Sequence, residues 1–249
     1  MWKQFVLAIQ LLTILPVRLG QEVSEQDLGR SMRYYPLIGA ILGGTIAGVH
    51  WLLSQRLAPM AATTVVVVVL IVLTGALHMD GLADMCDGFY KGRNKSEVLA
   101  IMKDSHSGAM ALVGVFCVLA LKLAFLWSLP QTVLPKALTL MPVAGRWSMV
   151  LLASLSPYAR PEGGTAKGYV DYAGRKEVVI AALLTAFLAG LIFKGIGLVG
   201  LAGTTLFVFL FWRYVMAKIQ GVTGDVLGAG GEISECIYLL SVGLAVGRA

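Results

Sequence analysis

The sequence has little charge. Only 14% of its 249 residues are Asp, Glu, Lys or Arg, whereas 57% are hydrophobic. A soluble globular domain has about a quarter charged residues, so this composition excludes an ordinary soluble enzyme or binding domain. It indicates an integral membrane protein that crosses the bilayer several times.

Cysteine is scarce as well. Cys86, Cys117 and Cys236 lie far apart, without the spacing of a metal site. This argues against a disulfide framework and against a thiolate metal centre. Tandem repeats and low-complexity tracts are also missing, so we expect residues 1–249 to form a single membrane-embedded domain.

Basic helices with interleaved aromatic residues are missing too, so we expect no binding to nucleic acid. The formal net charge of +6 has another explanation. Cytoplasmic loops of membrane proteins are enriched in Lys and Arg, and such loops face anionic lipid.

Long apolar runs, by contrast, are abundant. A helix needs about 20 mostly apolar residues to cross about 30 Å of hydrocarbon, and a helix satisfies its own backbone hydrogen bonds there. The sequence therefore predicts an all-α, polytopic protein with about seven transmembrane helices, over residues 35–54, 59–77, 108–129, 134–155, 178–195, 197–217 and 235–248. The shorter stretch 5–16 lacks a signal-peptide cleavage site and predicts a retained interfacial or re-entrant helix.

The acidic residues have a one-sided distribution. Following the predicted spans from loop to loop places all 14 of them on one face or just inside it, together with most Lys and Arg. The positive-inside rule makes this face cytoplasmic. We therefore expect a cytoplasmic active face. A divalent cation transporter, which needs charges lined through the bilayer, is a weaker alternative.

Three aspartates follow the second predicted span in HMDGLADMCDGFYKGR, residues 78–93. Asp80, Asp84 and Asp87 are spaced i, i+4 and i+7, so a helix would place them on one face. Such a stripe is favourable when a cation lies between the carboxylates. Oxygen ligands without Cys or paired His favour Mg²⁺ or Mn²⁺ over Zn²⁺. The alternative is a helix cap with a solvated face.

A second polar segment is IMKDSHSGAMA, residues 101–111. Here Asp104 is a candidate metal ligand and Lys103 a candidate phosphate contact. The alternative, compatible with the first, is that Asp104 or Ser105 caps the helix that starts near Gly108.

A third segment, GVTGDVLGAGGEISE over residues 221–235, is rich in glycine and contains Asp225. Glycines such as Gly224 can expose backbone N–H groups to a phosphate. The alternative is a flexible loop between helices.

Three basic residues are the best candidates for further phosphate contacts. Lys91 and Arg93 directly follow the aspartates, and Arg146 lies within a predicted span, where a charge needs a partner. These parts together suit phosphoryl transfer, in which a divalent ion and basic side chains neutralise phosphate charge. A carboxylate can take the proton of an attacking alcohol.

At this point a family resemblance becomes visible. HMDGLADMCDG, residues 78–88, resembles the signature of the cobalamin synthase family, the adenosylcobinamide-GDP ribazoletransferases. Further stretches resemble blocks of that family in the same order, namely QLLTILPV (10–17), YPLIGAILG (35–43), IMKDS (101–105), RWSMV (146–150) and TGDVLGA (223–229). The resemblance covers most of the chain.

The resemblance implies a transferase of the bacterial or archaeal inner membrane, with Mg²⁺ as its cation and Mn²⁺ as an alternative. A ribose hydroxyl of α-ribazole, or of its 5′-phosphate, would attack the pyrophosphate of adenosylcobinamide-GDP and release GMP. The expected catalytic residues are Asp80, Asp84 and His78. The expected metal ligands are Asp80, Asp84, Asp87, Asp104 and Asp225, and the expected phosphate contacts are Lys91, Arg93, Lys103, Arg146 and Gly224.

The expected partners are the two nucleotide substrates and the lipid bilayer, with other late cobalamin-pathway enzymes as an open alternative. A homo-oligomer is open as well. Small residues at helical spacing, Gly39, Gly43, Gly44 and Gly48, could pack helices between two copies or within one chain.

The nearest enzymatic alternative is a CDP-alcohol phosphotransferase, which also uses spaced aspartates at a membrane face. Its pattern begins D-G-x-x-A-R and continues G-x-x-x-D-x-x-x-D. Here Leu82, Ala83 and Asp84 follow the Asp80–Gly81 pair, and the later acids are three residues apart rather than four.

Overall fold

The computed structural model describes residues 1–104 and 106–247. Within that range the regular elements are helices, with one isolated bridge between Tyr158 and Val222. The helices are α1 (Trp2–Leu12), α2 (Glu25–Ser31), α3 (Tyr35–Leu53), α4 (Pro59–Leu73), α5 (Leu77–Lys91), α6 (Lys95–Ile101), α7 (Ala109–Ser128), α8 (Leu134–Leu155), α9 (Lys167–Asp171), α10 (Arg175–Ile219) and α11 (Gly224–Val246), with a 3₁₀ turn at Met32–Tyr34. The predicted all-α fold is confirmed.

The helices are those of a multi-pass membrane protein. Five helical segments of the described chain are long and apolar enough to cross a membrane, and the bent pair of α4 and α5 raises this number to six. The N-terminal helix α1 has 11 residues. It rises roughly 16 Å, which is too short for a hydrocarbon core of about 30 Å.

The last predicted span was placed wrongly. Residues 221–235 were expected to form a glycine-rich loop, but the chain is helical from Gly224, so the helix covers 224–246 instead of starting at residue 235. The reason is packing: Gly228, Gly230 and Gly231 are buried, and small residues let membrane helices approach closely.

One other boundary also differs from the prediction, because the second span ends at Leu73 rather than at residue 77. Helix α10 covers the spans predicted over 178–195 and 197–217 and has a non-helical break at Lys194, where φ is 51° and ψ is −137°, next to the predicted boundary.

Helix α8 lies at the centre of the bundle and packs against α3, α10 and α11. Its contact with α3 is backbone to backbone, because a Cβ at Gly39 would lie 2.7 Å from the carbonyl oxygen of Pro142. Gly43 packs in the same way on the Thr139 backbone, whereas Gly44 and Gly48 have open space around them. The first two glycines therefore pack helices within the chain.

Four charged side chains form a network inside the bundle. Lys122 Nζ of α7 lies 2.6 Å from Glu232 Oε2 and 2.7 Å from Glu235 Oε2, both on α11. Arg146 Nη1 of α8 lies 2.5 Å from Glu235 Oε1. The expectation that Arg146 needs a partner within the bundle is confirmed. Two positive and two negative charges balance, as buried charges must.

Neutrality of this network predicts how its variants behave. Lys122→Met should destabilise the protein by about 3–5 kcal/mol, since it leaves Glu232 buried without a partner. Glu232→Gln in the same chain should restore most of that stability, because the neutral Arg146–Glu235 pair remains. Thermal unfolding of both single variants and of the double variant in detergent measures this coupling. Additive losses in the double variant would contradict the network.

Candidate functional site

The aspartate helix α5 turns away from α4 by 87°. At the turn Gly75 and Ala76 have left-handed backbone conformations, with φ of 59° and 55°. The N–H of Ile14 donates to the carbonyl of Leu73 at 2.9 Å, which satisfies one of the free carbonyls at the end of α4. The bend separates the polar helix from the apolar one that precedes it.

Helices α5 and α11 cross in close contact. A Cβ at Gly81 would lie 2.8 Å from the Cα of Asp225, and a Cβ at Gly228 would lie 3.1 Å from the Cα of His78. Because the glycines leave no side chain in between, the two backbones meet directly. The crossing brings the aspartates of α5 next to the first turn of α11.

Asp80, Asp84 and Asp225 form the carboxylate cluster of the candidate site. Asp84 lies one helical turn from Asp80, and the charges of Asp80, Asp225, Arg160 and Asp87 all act on it. Asp225 Oδ2 accepts hydrogen bonds from Arg160 Nη2 at 2.9 Å and from Thr223 Oγ1 at 3.2 Å. Three carboxylates with one guanidinium leave an excess of negative charge.

This excess negative charge would attract a metal cation. In the part of the chain that the structure describes, no three His, Cys, Asp or Glu side chains are placed to hold a metal ion together. Mg²⁺ usually keeps several waters and binds through one or two carboxylates plus substrate phosphates. The oxygen donors of the carboxylate cluster fit such an open site.

Asp87 has a different role from its two neighbours on α5. Its Oδ2 accepts from the N–H of Gly108, and its Oδ1 accepts from the N–H of Ala111 at 3.2 Å. Lys91 Nζ lies 3.0 Å from Asp87 Oδ1. Asp87 thus caps the N-terminus of α7 from outside that helix, and Lys91 neutralises it. Of the three aspartates of α5, Asp87 is therefore the one to which the alternative interpretation as a helix cap applies.

Asp104 lies in an exposed loop and interacts locally. Its Oδ1 accepts from the backbone N–H of His106 at 3.0 Å and lies 2.7 Å from the ring Nδ1. The hydrogen bond with the His106 side chain lowers the pKa of Asp104. Capping of α7 by Asp104 is wrong, because Gly108 is the N-cap residue and has no side-chain bond. Ser105 lies outside the described residues.

The predicted phosphate contacts are spread over the molecule. Arg146 is buried on Glu235, and its Nη2 lies 3.5 Å from His78 Nδ1. Lys103 lines a separate cavity of about 690 Å³ together with Lys95. Arg93 is exposed, and Lys91 is paired with Asp87. Gly224 lies in the first turn of α11, beside Asp225.

Sequence reasoning missed the role of Arg160. The N–H of Ala159 donates to the Val222 carbonyl, and the N–H of Val222 donates to the Pro157 carbonyl, both at 2.9 Å. This short pairing of two loops places Arg160 on Asp225, and no spacing in the sequence signals it. Lys122 was also missed, although a single lysine within an apolar span is a recognisable signal.

A cavity of about 280 Å³ lies beside the carboxylate cluster. Asp80, Asp225 and Gly224 line one part of it, and most of the remaining wall is apolar or aromatic. His78, which was predicted to be catalytic, lines the same cavity. The site therefore combines an acidic edge with an apolar recess.

Comparisons with known proteins point to one family. The family model described as Cobalamin-5-phosphate synthase matches residues 4–243. The chain is 38% identical over 248 residues to the adenosylcobinamide-GDP ribazoletransferase of Desulforamulus reducens, covering 98% of each chain. It is 33% identical over 238 residues to that of Acetivibrio thermocellus, with 96% of each chain covered. The corresponding protein of Geotalea daltonii is 35% identical over 249 residues, and the match covers 100% of each chain.

No solved structure matches the chain. The family model and the relatives nevertheless cover almost all of it, including the aspartate helix and the first turn of α11. The chain therefore belongs to the cobalamin-5-phosphate synthase family.

Proposed function

We propose that this protein is an adenosylcobinamide-GDP ribazoletransferase. The observation that carries the proposal is the carboxylate cluster at the crossing of α5 and α11, in a chain that matches the named transferases over nearly its full length. The substrates would be adenosylcobinamide-GDP and α-ribazole or its 5′-phosphate. The product would be adenosylcobalamin or its 5′-phosphate.

The reaction is a substitution at phosphorus. A ribose hydroxyl oxygen of the acceptor forms a bond to the phosphorus attached to the cobinamide. The bond from that phosphorus to the bridging oxygen breaks, and GMP leaves with the bond electrons. The hydroxyl proton passes to a carboxylate, for which Asp80 and Asp84 are the candidates.

The side chains of the cluster have complementary tasks in this proposal. One or two of the carboxylates of Asp80, Asp84 and Asp225 would hold Mg²⁺ or Mn²⁺ together with substrate phosphates, and such an ion neutralises charge on phosphate oxygens. Arg160, fixed on Asp225, would contact the phosphates of the donor. Asp87 supports the site indirectly, since it fixes the start of α7 against α5.

The experiment that tests this proposal is a GMP-release assay with purified protein, both substrates and Mg²⁺. Asp80→Asn and Asp84→Asn should each lower kcat by about 10²–10³-fold, because preorganised charge near the reacting phosphate is lost. Asp171→Asn is the matched control, since this acid pairs with Lys167 at an exposed position and should leave kcat unchanged. EDTA should abolish release in all variants.

The controls make the result decisive. Each variant is compared with the unmodified protein for membrane insertion and thermal stability. Release of GMP that does not need the ribazole substrate would contradict the transferase. Full activity of Asp84→Asn in folded protein would remove the carboxylate cluster from the mechanism.

We also propose seven membrane crossings with the carboxylate cluster on the cytoplasmic side of the inner membrane. The 45 residues of α10 would rise about 68 Å as one straight helix, which is more than twice the hydrocarbon thickness. Lys136 Nζ lies 5.6 Å from the ring centroid of Phe193, next to the break at Lys194. At the far end, Lys218 Nζ donates to the Gly92 carbonyl at 3.1 Å. These contacts support two antiparallel crossings within α10.

Cysteine labelling tests this topology. In a chain whose three native cysteines are replaced by alanine, Lys194→Cys and Lys103→Cys are treated with a membrane-impermeant maleimide. Both positions are exposed. We expect Lys194→Cys to react in right-side-out vesicles and Lys103→Cys to react in inverted ones. Reaction of both from the same side would contradict seven crossings.

A further inference from the structure

We infer that the 280 Å³ cavity beside Asp80 and Asp225 binds the nucleoside acceptor, with its flat two-ring base in the apolar recess. This inference rests on the proposed function and assigns one of its two substrates to a place in the fold. It also makes His78 a positioning residue for that nucleoside.

Size separates the two substrates. A volume of about 280 Å³ is at the lower end of small-molecule pockets, which hold roughly 300–1,000 Å³. It admits a base and part of a ribose. A corrin macrocycle with its side chains is several times larger and stays outside, at the open face of the carboxylate cluster.

The wall of the cavity suits an aromatic base. Leu28, Leu227 and Met149 are apolar, and Tyr35 and Tyr169 add aromatic surface. Burial of such a base is favourable by about 25 cal/mol per Å² of apolar surface, and aromatic rings add offset or edge contacts. A phosphate would find little to bind on these side chains, and the several polar atoms of guanine would find few hydrogen-bond partners there.

The cavity has a buried end and an exposed end. At the buried end Tyr35 is 1% and His78 is 3% exposed. At the other end Asp80 and Thr165 are exposed. A base inserted into the recess therefore leaves its ribose near Asp80 and Asp225. This orientation brings the attacking hydroxyl to the carboxylates that would take its proton.

His78 supplies a hydrogen-bond donor that the protein itself leaves unused. Arg146 Nη2 faces His78 Nδ1 at 3.5 Å, and a guanidinium can only donate. Nδ1 is therefore the acceptor, and the ring proton is on Nε2. Within the described residues His78 Nε2 has no hydrogen-bond partner, and such a group calls for an explanation. The atom has almost no accessible surface, so an acceptor of the bound nucleoside reaches it only after a local side-chain movement.

A larger cavity, of about 690 Å³, serves as the contrast. Lys95, Lys103 and Glu162 line it together with Leu99, Ala100 and Pro161, so its wall carries charged side chains and no aromatic ring. It offers a two-ring base no aromatic surface. A substitution there provides a control at a cavity of the same protein.

Ala166→Phe tests the assignment, because Ala166 lines the recess from a loop and a phenyl ring there would fill it. We expect the Kd and the KM for α-ribazole to rise at least tenfold, with those for adenosylcobinamide-GDP changed less than twofold. Ala100→Phe, in the lysine-lined cavity, should leave the values for α-ribazole unchanged. Equilibrium dialysis with purified protein gives Kd, and the GMP-release assay gives KM.

A second pair of variants tests the donor. His78→Leu should weaken α-ribazole binding about tenfold, and His78→Gln, which keeps an N–H group, should recover part of that loss. Equal binding by both would show that His78 has no donor role. Thermal unfolding of all four variants verifies that they are folded.

The outcomes separate this inference from the proposed function. If the unmodified protein releases GMP while Ala166→Phe keeps its affinity for α-ribazole, the cavity assignment is overturned and the transferase stands. A larger effect of Ala166→Phe on the corrinoid substrate would overturn it as well. If the unmodified protein binds α-ribazole in this cavity but releases no GMP, the transferase fails and the cavity assignment stands.

Discussion

The close crossing of α5 and α11 is the contact on which the candidate site depends. Gly81 lies on the backbone of Asp225 and Gly228 lies on the backbone of His78, so a side chain at either glycine would separate the helices. The crossing joins acidic residues that are more than 140 positions apart in the chain. Without it, Asp80 and Asp84 would be two exposed carboxylates on a polar helix.

The buried ion network holds the same helix further along its length. Glu232 and Glu235 of α11 are paired with Lys122 of α7 and Arg146 of α8. A helix with Asp225 at its first turn is thus fixed to two neighbours by charges that are costly to separate. Through Arg146 Nη2 the network also reaches His78 Nδ1, at 3.5 Å. Stability of the bundle and geometry of the site are linked at this point.

Part of this arrangement could be predicted from the sequence. The spacing of Asp80, Asp84 and Asp87 predicted a helix with a shared face, and α5 confirms the helix. The sequence could not show that Asp87 caps α7, because this depends on where the start of α7 lies in space. The glycines at 224–231 predicted a loop. A glycine at a helix contact cannot be told from a glycine in a loop by sequence alone, because the difference depends on which residues pack against it. The Arg160–Asp225 pair depends on a loop pairing with no local signal.

The central claim is that the carboxylate cluster binds the metal ion. Measuring Mn²⁺ binding by electron paramagnetic resonance, in the presence of adenosylcobinamide-GDP, tests it most directly. The account predicts that Asp80→Asn, Asp84→Asn and Asp225→Asn each weaken Mn²⁺ binding at least tenfold, because each removes a negative charge from the carboxylate cluster that would hold the ion. Asp104→Asn should bind as the unmodified protein does, since Asp104 is engaged with His106 in an exposed loop. Loss of binding in Asp104→Asn with full binding in Asp225→Asn would contradict the account.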